Sequence, residues 1–415
     1  MKYILSNIYS PKNLGDRAII EGMVKCIKAN DPSAEIVYMS KFSYELIHDL
    51  KWNAINNIIN LNPRNKVIGQ SFEMVLDFVR FLLVYLTYKI IGKRILKFIP
   101  KTSKYYQVID ADIVLPVGGN YLFSSTKIVS RNYFMHVINI LCSKAFDNKV
   151  VLFPQSYGPL TRAYERRFLK WSLNKVDGVY CRDIESRDFI IECGVNAKQI
   201  KVIPDIAFYH INEEQLKNRE GSAPKGKVLV TVLDWRWSMV TEQSNDRQEI
   251  FDAYRSCMIE YIKFLSEEKK LDVCIFSQVT TVDSNDHLLS LELEKQINNP
   301  RVYATKMEND NLADILSFYN SFDFVVGSRM HSCIFGILQG IPTIGIGYQP
   351  KTIGLFNLLG IPNYAFDAKS VSSSDLIDIT KRVMENFSNE NQKVIELSKS
   401  VKERITLETR DVFQN

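Results

Sequence analysis

The sequence predicts an α/β protein built from two parallel-sheet lobes, and three observations carry that prediction. Short apolar, β-branched runs end in turn residues and lead into longer stretches of helical period along the whole chain. Strands that alternate with helices in this way build parallel sheets. At 415 residues the chain exceeds what one hydrophobic core ordinarily serves, so two domains of ordinary size are expected. Between the two series of strands, Asn212 to Lys225 is polar and carries Gly221, Ser222 and Pro224, which suits a linker.

In the first lobe, 1–211, the strands are read at Tyr3 to Ile8, Ile36 to Met39, Asp112 to Pro116, Val150 to Phe153, Gly178 to Cys181 and Lys201 to Ile203. In the second, 226–371, they fall at Lys227 to Leu233, Asp272 to Ser277, Arg301 to Ala304, Phe324 to Gly327 and Thr343 to Gly347. The remaining segment, 372–415, reads as helix with charged faces and no further strand, of the kind that often packs back on a first lobe.

Hydrophobic residues at 46% and charged residues at 24% belong to a folded globular chain, which excludes a disordered one. The formal charge of +5 is spread along the chain, so nucleic acid is not an expected partner. Seven scattered cysteines without a C-x-x-C pair read as reduced thiols of a cytoplasmic protein. Met1 leads straight into strand-like sequence, with too short an apolar run for a signal peptide. The five histidines lack zinc-ligand spacing, so no metal site is expected.

An apolar helical insertion near 72–100 interrupts the first lobe. Met74 to Ile91 approaches the length of a membrane span, but Asp77, Arg80 and Lys89 make spanning expensive. Three readings stay open: a buried helix, an interfacial helix whose basic cluster (Lys93, Arg94, Lys97) meets lipid headgroups, making 74–97 a peripheral membrane contact, or a true transmembrane helix.

The constellation richest in chemistry follows the strand Phe324-Val325-Val326. Gly327-Ser328-Arg329-Met330-His331-Ser332 forms a strand end, a turn and a helix N-terminus, the usual anion position in an open parallel sheet. Arg329 offers a fork for phosphate or carboxylate, and His331 can exchange a proton near neutral pH. The plainer alternative pairs Arg329 with a carboxylate and uses His331 as a cap. The next strand ends in Tyr348-Gln349-Pro350-Lys351, bringing a second cation to the same sheet edge. Gly345-Ile346-Gly347 has no third glycine at dinucleotide spacing, so it is read as permitting close packing.

The first lobe supplies matching turns. In Asn13-Leu14-Gly15-Asp16, Gly15 permits a tight backbone approach and Asp16 is a base or a helix cap. Val117-Gly118-Gly119-Asn120 offers backbone amides to a ligand, or is a plain sharp turn. Gln155 and Arg182 also stand at strand ends; Arg182 is an anion ligand, or is paired with Asp183 or Glu185. Asp205, after Ile203-Pro204, orients another side chain, caps, or makes an interlobe contact.

Taken in order, these turns resemble the polysaccharide pyruvyl transferase family. The resemblance rests on Asn13-Leu14-Gly15-Asp16, Val117-Gly118-Gly119, Pro154 to Leu160, Cys181 to Ser186, Ile203-Pro204-Asp205, Gly327 to Ser332 and Tyr348 to Lys351, so it spans residues 13 to 351. The chain departs from the family pattern at Asn120, where many members carry glycine, and at Gln349, where an acid is common.

The resemblance implies two Rossmann-like lobes similar to the GT-B glycosyltransferase architecture, with the active site in the interlobe cleft. It implies phosphoenolpyruvate as co-substrate, no further cofactor, and a saccharide acceptor, often lipid-linked, at the inner face of the cytoplasmic membrane. The first lobe is then the acceptor side and the second the donor side. His331 and Asp16 are the expected catalytic residues, and Arg182, Arg329 and Lys351 the expected donor ligands. Asn13, Gly15, Gly118, Gly119, Asn120, Gln155, Asp205 and Ser328 are further candidate substrate contacts. Two alternatives stand beside this reading: a GT-B glycosyltransferase using a nucleotide sugar, and a non-catalytic saccharide-binding assembly protein.

Overall fold

The computed structural model describes residues 1–8, 13–60, 67–124, 130–236, 244–281, 284–307 and 311–414. Contacts divide the chain into two units. One holds the first strand, Gly15–Tyr209 and the chain from Ile405; the other holds His210–Arg404.

The first unit is organised around β1 (Lys2–Ile8), buried at every position because a central parallel strand is covered on both faces. With β2 (Glu35–Ser40), β3 (Ala54–Ile55), β4 (Ile113–Pro116), β5 (Lys149–Gln155), β6 (Gly178–Cys181) and β7 (Ile200–Val202), it forms a parallel sheet ordered β3-β2-β1-β4-β5-β6-β7. The order reverses between β1 and β4. Four of its helices bear on the argument: α1 (Leu14–Asn30), α2 (Val67–Ile91), α3 (Arg131–Lys144) and α4 (Ile184–Glu192). Ser130 caps α3 by accepting from the Tyr133 N–H, and Asp183 caps α4 by accepting from the Ser186 N–H at 2.7 Å.

The apolar insertion is α2, and it is buried along one face only. Met74, Phe81, Val84 and Tyr85 pack against the core, and the Tyr88 hydroxyl donates to the Phe146 carbonyl at 3.0 Å. Asp77 lies inside because Lys104 Nζ (2.8 Å) and the Asn60 N–H (3.0 Å) both bond its carboxylate, which offsets the cost of burying the charge. The opposite face stays in solvent. Among the described residues no helix is long and apolar enough to cross a membrane.

In the second unit β8 (Lys227–Thr231), β9 (Asp272–Ser277), β10 (Val302–Lys306), β11 (Phe324–Gly327), β12 (Thr343–Gly347) and β13 (Ala365–Asp367) form a parallel sheet ordered β10-β9-β8-β11-β12-β13. This is the dinucleotide-fold order, with its reversal between β8 and β11. α5 (Ser244–Lys263), α6 (Asp286–Ile297), α7 (Met330–Leu338) and α8 (Pro350–Leu358) carry the residues discussed below.

The stretch expected to be a linker is folded, and the boundary between units falls earlier, at Tyr209/His210. Asn212 caps a short helix, Glu213–Arg219. Arg219 then anchors the stretch: it donates to Asn391 Oδ1 (3.1 Å), Asn320 Oδ1 (3.3 Å) and the Phe322 carbonyl (2.7 Å). The C-terminal segment forms α9 (Ser373–Glu385) and α10 (Phe387–Phe413). The end of α10 belongs to the first unit, where the Phe413 ring lies 6.1 Å from Tyr3 and 6.0 Å from Phe153.

Candidate functional site

At the C-terminal edge of the second sheet three strands end abreast, Thr231 opposite Gly327 and Gly327 opposite Gly345. Ligands of open α/β sheets bind outside strand ends where the order reverses, which here is between β8 and β11. β11 runs directly into α7 and β12 into α8, so two helix N-termini carry partial positive charge to this edge.

Arg329 stands at the N-cap of α7. Its Nε and Nη2 donate to the two carboxylate oxygens of Asp286 at 2.6 and 2.7 Å. Asp286 opens α6, is 1% exposed, and also accepts from the Val279 N–H at 3.1 Å. A carboxylate gripping two nitrogens fixes the plane of the guanidinium, which is what directional anion recognition requires. The carboxylate alternative raised for Arg329 is therefore present, on an acid far away in sequence. His331, two residues on, is half-buried with its ring 6.3 Å from Phe335.

Lys351, in the first turn of α8, holds its ammonium 5.9 Å from the Tyr348 ring. Burial raises the Tyr348 phenol above its ordinary value, with the Arg329 charge opposing and that of Asp286 assisting. Tyr348 thus shares the neighbourhood of both ends of the site. Ser328 is buried; its hydroxyl bonds the Tyr254 hydroxyl at 2.8 Å and its N–H donates to Thr231 Oγ1 at 3.0 Å. These bonds tie the turn to α5 and to β8. Gly345 sits against Phe356, where an added Cβ would fall 2.5 Å from the ring, so close packing accounts for this glycine.

The first unit builds a second set of strand-end groups. The Val117 N–H donates to the Ser6 carbonyl at 2.8 Å, and the Ser156 N–H to the Gly119 carbonyl at 3.0 Å, so the Gly118-Gly119 turn is held from both sides. A Cβ on Gly118 would lie 2.6 Å from the Tyr121 ring, too close without a shift of that ring, and one on Gly119 would crowd Arg182 Nη1 at 3.2 Å. Arg182 is 4% exposed and sits beside the turn. Its Nη1 donates to Asp205 Oδ2 at 2.8 Å and its Nε to Ser156 Oγ at 2.8 Å. Its partner is therefore Asp205, while Asp183, one of the two acids expected, caps α4 and accepts from Ser156 Oγ at 2.7 Å.

Gln155 is fully buried, its Nε2 donating to the Tyr121 hydroxyl at 3.2 Å and the Tyr157 hydroxyl at 3.1 Å. Its Oε1 and the Asn120 Oδ1 are buried without a hydrogen-bond partner among the described residues. Asn13 stands just before α1, with Gly15 and half-buried Asp16 in the first turn.

Sequence reasoning missed Asp286, Tyr121 and His136. Asp286 follows Asn285 and reads as ordinary helix-start chemistry. His136 lies on α3, its ring 4.8 Å from Tyr121, and burial depresses its imidazole to about 3, helped by the Lys41 charge. A separate cavity of about 500 Å³ in the first unit is lined by Asn56, Asn60, Asp77, Arg80 and Lys104 among others, and by none of the strand-end residues above.

Two parallel sheets of this order, each with polar turns at its C-terminal edge, define an α/β architecture of the GT-B glycosyltransferase and epimerase type. HepE from Anabaena in complex with UDP and glucose superposes with a TM-score of 0.54 at 13% identity, over 99% of this chain and 97% of that one. UDP-GlcNAc 2-epimerase from Neisseria meningitidis bound to UDP-GlcNAc gives a TM-score of 0.53 at 9% identity, over 98% and 99%. At such identities the likeness is one of fold. The family follows from sequence: the polysaccharide pyruvyl transferase model matches residues 13–350, and the chain belongs to that family. It is 21% identical to the amylovoran biosynthesis protein AmsJ of Erwinia amylovora, over 93% of each protein.

Proposed function

We propose that the protein transfers the pyruvyl group of phosphoenolpyruvate to two hydroxyls of a saccharide, forming a ketal and releasing phosphate. The observation that carries this reading is Arg329, its plane fixed by Asp286, at the strand-order reversal of a family member, with His331 in the first turn of the same helix and Lys351 in the first turn of the helix after the next strand. The donor carries a phosphate and a carboxylate; the Lys351 charge and two helix N-termini suit those anions, and Arg329, its charge balanced by Asp286, adds directed N–H donors.

In this reading Arg329 and Lys351 bind the donor anion. His331 delivers a proton to the donor's methylene carbon, leaving the adjacent carbon cationic. A sugar hydroxyl attacks that carbon and loses its proton to a base. The carbon–oxygen bond to phosphate breaks, and a second hydroxyl of the same sugar closes the ketal and gives up its proton. Arg182 acts indirectly, holding the Gly119 turn through its bonds to Asp205 and Ser156. Half-buried Asn120, at the end of the Gly118-Gly119 turn, is the candidate acceptor contact, while Gln155, fully buried on the Tyr121 and Tyr157 hydroxyls, is structural. The acceptor is a lipid-linked saccharide, met at the inner face of the cytoplasmic membrane.

Donor identity is tested by melting the protein with phosphoenolpyruvate or with a panel of nucleotide sugars. The proposal expects phosphoenolpyruvate to raise Tm in the parent and to have lost that effect in Arg329→Ala. Stabilisation by a nucleotide sugar alone would favour a glycosyltransferase, which shares the architecture.

A further inference from the structure

The outer face of α2 presents Phe72, Val75, Leu76, Val79, Leu82, Leu83, Leu86 and Ile90, all exposed, with Leu83 at 61% and Ile90 at 82%. Their spacing of three and four residues sets them in one stripe along some five turns of helix. Phe78 widens the stripe, and Phe98, 78% exposed, extends it past the turn Gly92–Lys97. Contiguous apolar surface on this scale marks an interaction site. Its charge names the partner. Lys93, Arg94, Lys97 and Lys101 are exposed beyond the helix C-terminus, while Lys89, in its last turn, is exposed but ion-paired with Asp147 at 3.4 Å. Between Phe72 and Lys101 the acids are Glu73, only half-exposed, and Asp77, buried on Lys104.

We infer that α2 and the turn that follows dock this protein on an anionic lipid bilayer, the helix lying in the headgroup plane with its apolar stripe among the acyl chains. An interfacial helix needs an apolar face, cations toward the headgroups, and packing that stops it from inserting across. α2 has all three, since its other face is locked into the core by Phe81, Val84, Tyr85, Tyr88 and the Asp77–Lys104 pair. The inference deepens the lipid-linked acceptor reading by naming the surface that meets the lipid. It rests on the helix alone, so it stands or falls separately from the donor chemistry. The 500 Å³ cavity is lined by Glu73, Leu76, Asp77 and Arg80 of the same helix, so a polar recess flanks the docking stripe.

The test is co-flotation of the full chain with phosphatidylcholine vesicles, with and without phosphatidylglycerol, at low and high salt. The inference expects binding to the phosphatidylglycerol vesicles, at least tenfold weaker to phosphatidylcholine alone and weakened by salt. Leu83→Gln/Leu86→Gln/Ile90→Gln should lose at least tenfold of that binding while keeping the parental Tm, because these side chains touch solvent. Lys93→Ser/Arg94→Ser/Lys97→Ser should lose the preference for phosphatidylglycerol. The inference is overturned if the parent does not float with either vesicle, or if the glutamine variant floats like the parent. It is equally overturned if the glutamine substitutions only turn a dimer into a monomer, for the stripe would then cover a second copy of the chain.

Discussion

Arg182 and Asp205 are 4% and 1% exposed, and neither charge has water to fall back on. Removing one partner of such a pair strands the other, at a cost of about 3–5 kcal/mol. Asp205→Ala should therefore lower the stability of the first unit by that order in denaturant unfolding, whereas Arg182→Met/Asp205→Leu should recover much of the loss. Equal losses in the two variants would contradict the pairing. His136 sets a pH window. Folded, its imidazole is held near 3; unfolded, it titrates at its ordinary 6.5. The unfolded chain takes up the proton first, so the stability present in full above pH 6.5 falls as the pH drops toward 3, by up to about 1.4 kcal/mol per unit. Unfolding measured at mildly acid and neutral pH should show a shallower slope in His136→Gln than in the parent; an unchanged slope would remove His136 from the account. If the proposed donor is right, Asp286→Asn should raise KM for phosphoenolpyruvate more than it lowers kcat, because in that reading it loosens Arg329 without touching the donor. His331→Ala should cost turnover about 10²-fold or more, as loss of a general acid does, with donor binding kept.

Elements were legible in sequence wherever a strand is central. β4, β6, β9, β11 and β12 are continuous apolar runs closed by polar or glycine turns, because both of their faces are buried. β3 and β13 were not legible: they are edge strands of two and three residues, too short for any pattern to emerge. Asn212 to Lys225 reads as a linker by composition, yet one buried arginine with several acceptors makes it structure. α2 exposes the limit of periodicity, since nearly every position is apolar and only the packed fold says which face is covered. The polar turns do fall at strand ends, as their sequence implies, but the partners of Arg329 and Arg182 are not legible there. Asp286 lies 43 residues from Arg329, and Asp205, 23 residues from Arg182, reaches it across two adjacent strand ends, where sequence proximity had suggested Asp183 or Glu185. Packing at the strand edges gives its own prediction. Gly345→Ala forces a methyl to 2.5 Å from the Phe356 ring and should destabilise the second unit by about 1–3 kcal/mol. Phe356→Leu in that background should relieve part of it.

At the scale of the whole molecule, the proposed transfer divides its work between two sheets of the same strand logic. In that reading the cations, helix N-termini and histidine at the edge of the second sheet serve the donor, and the first unit, which also carries the apolar helix, serves the acceptor. The fold is shared with structures that hold UDP sugars, so in the proposed reading the donor is set by the residues at the strand ends. The most direct measurement is mass spectrometry of lipid-linked saccharides incubated with the protein and phosphoenolpyruvate, with released phosphate assayed in parallel. The account predicts a pyruvyl mass increment on an acceptor, matched by phosphate release and abolished in Arg329→Ala. Sugar transfer from a nucleotide donor, with no pyruvyl increment on any acceptor, would contradict it.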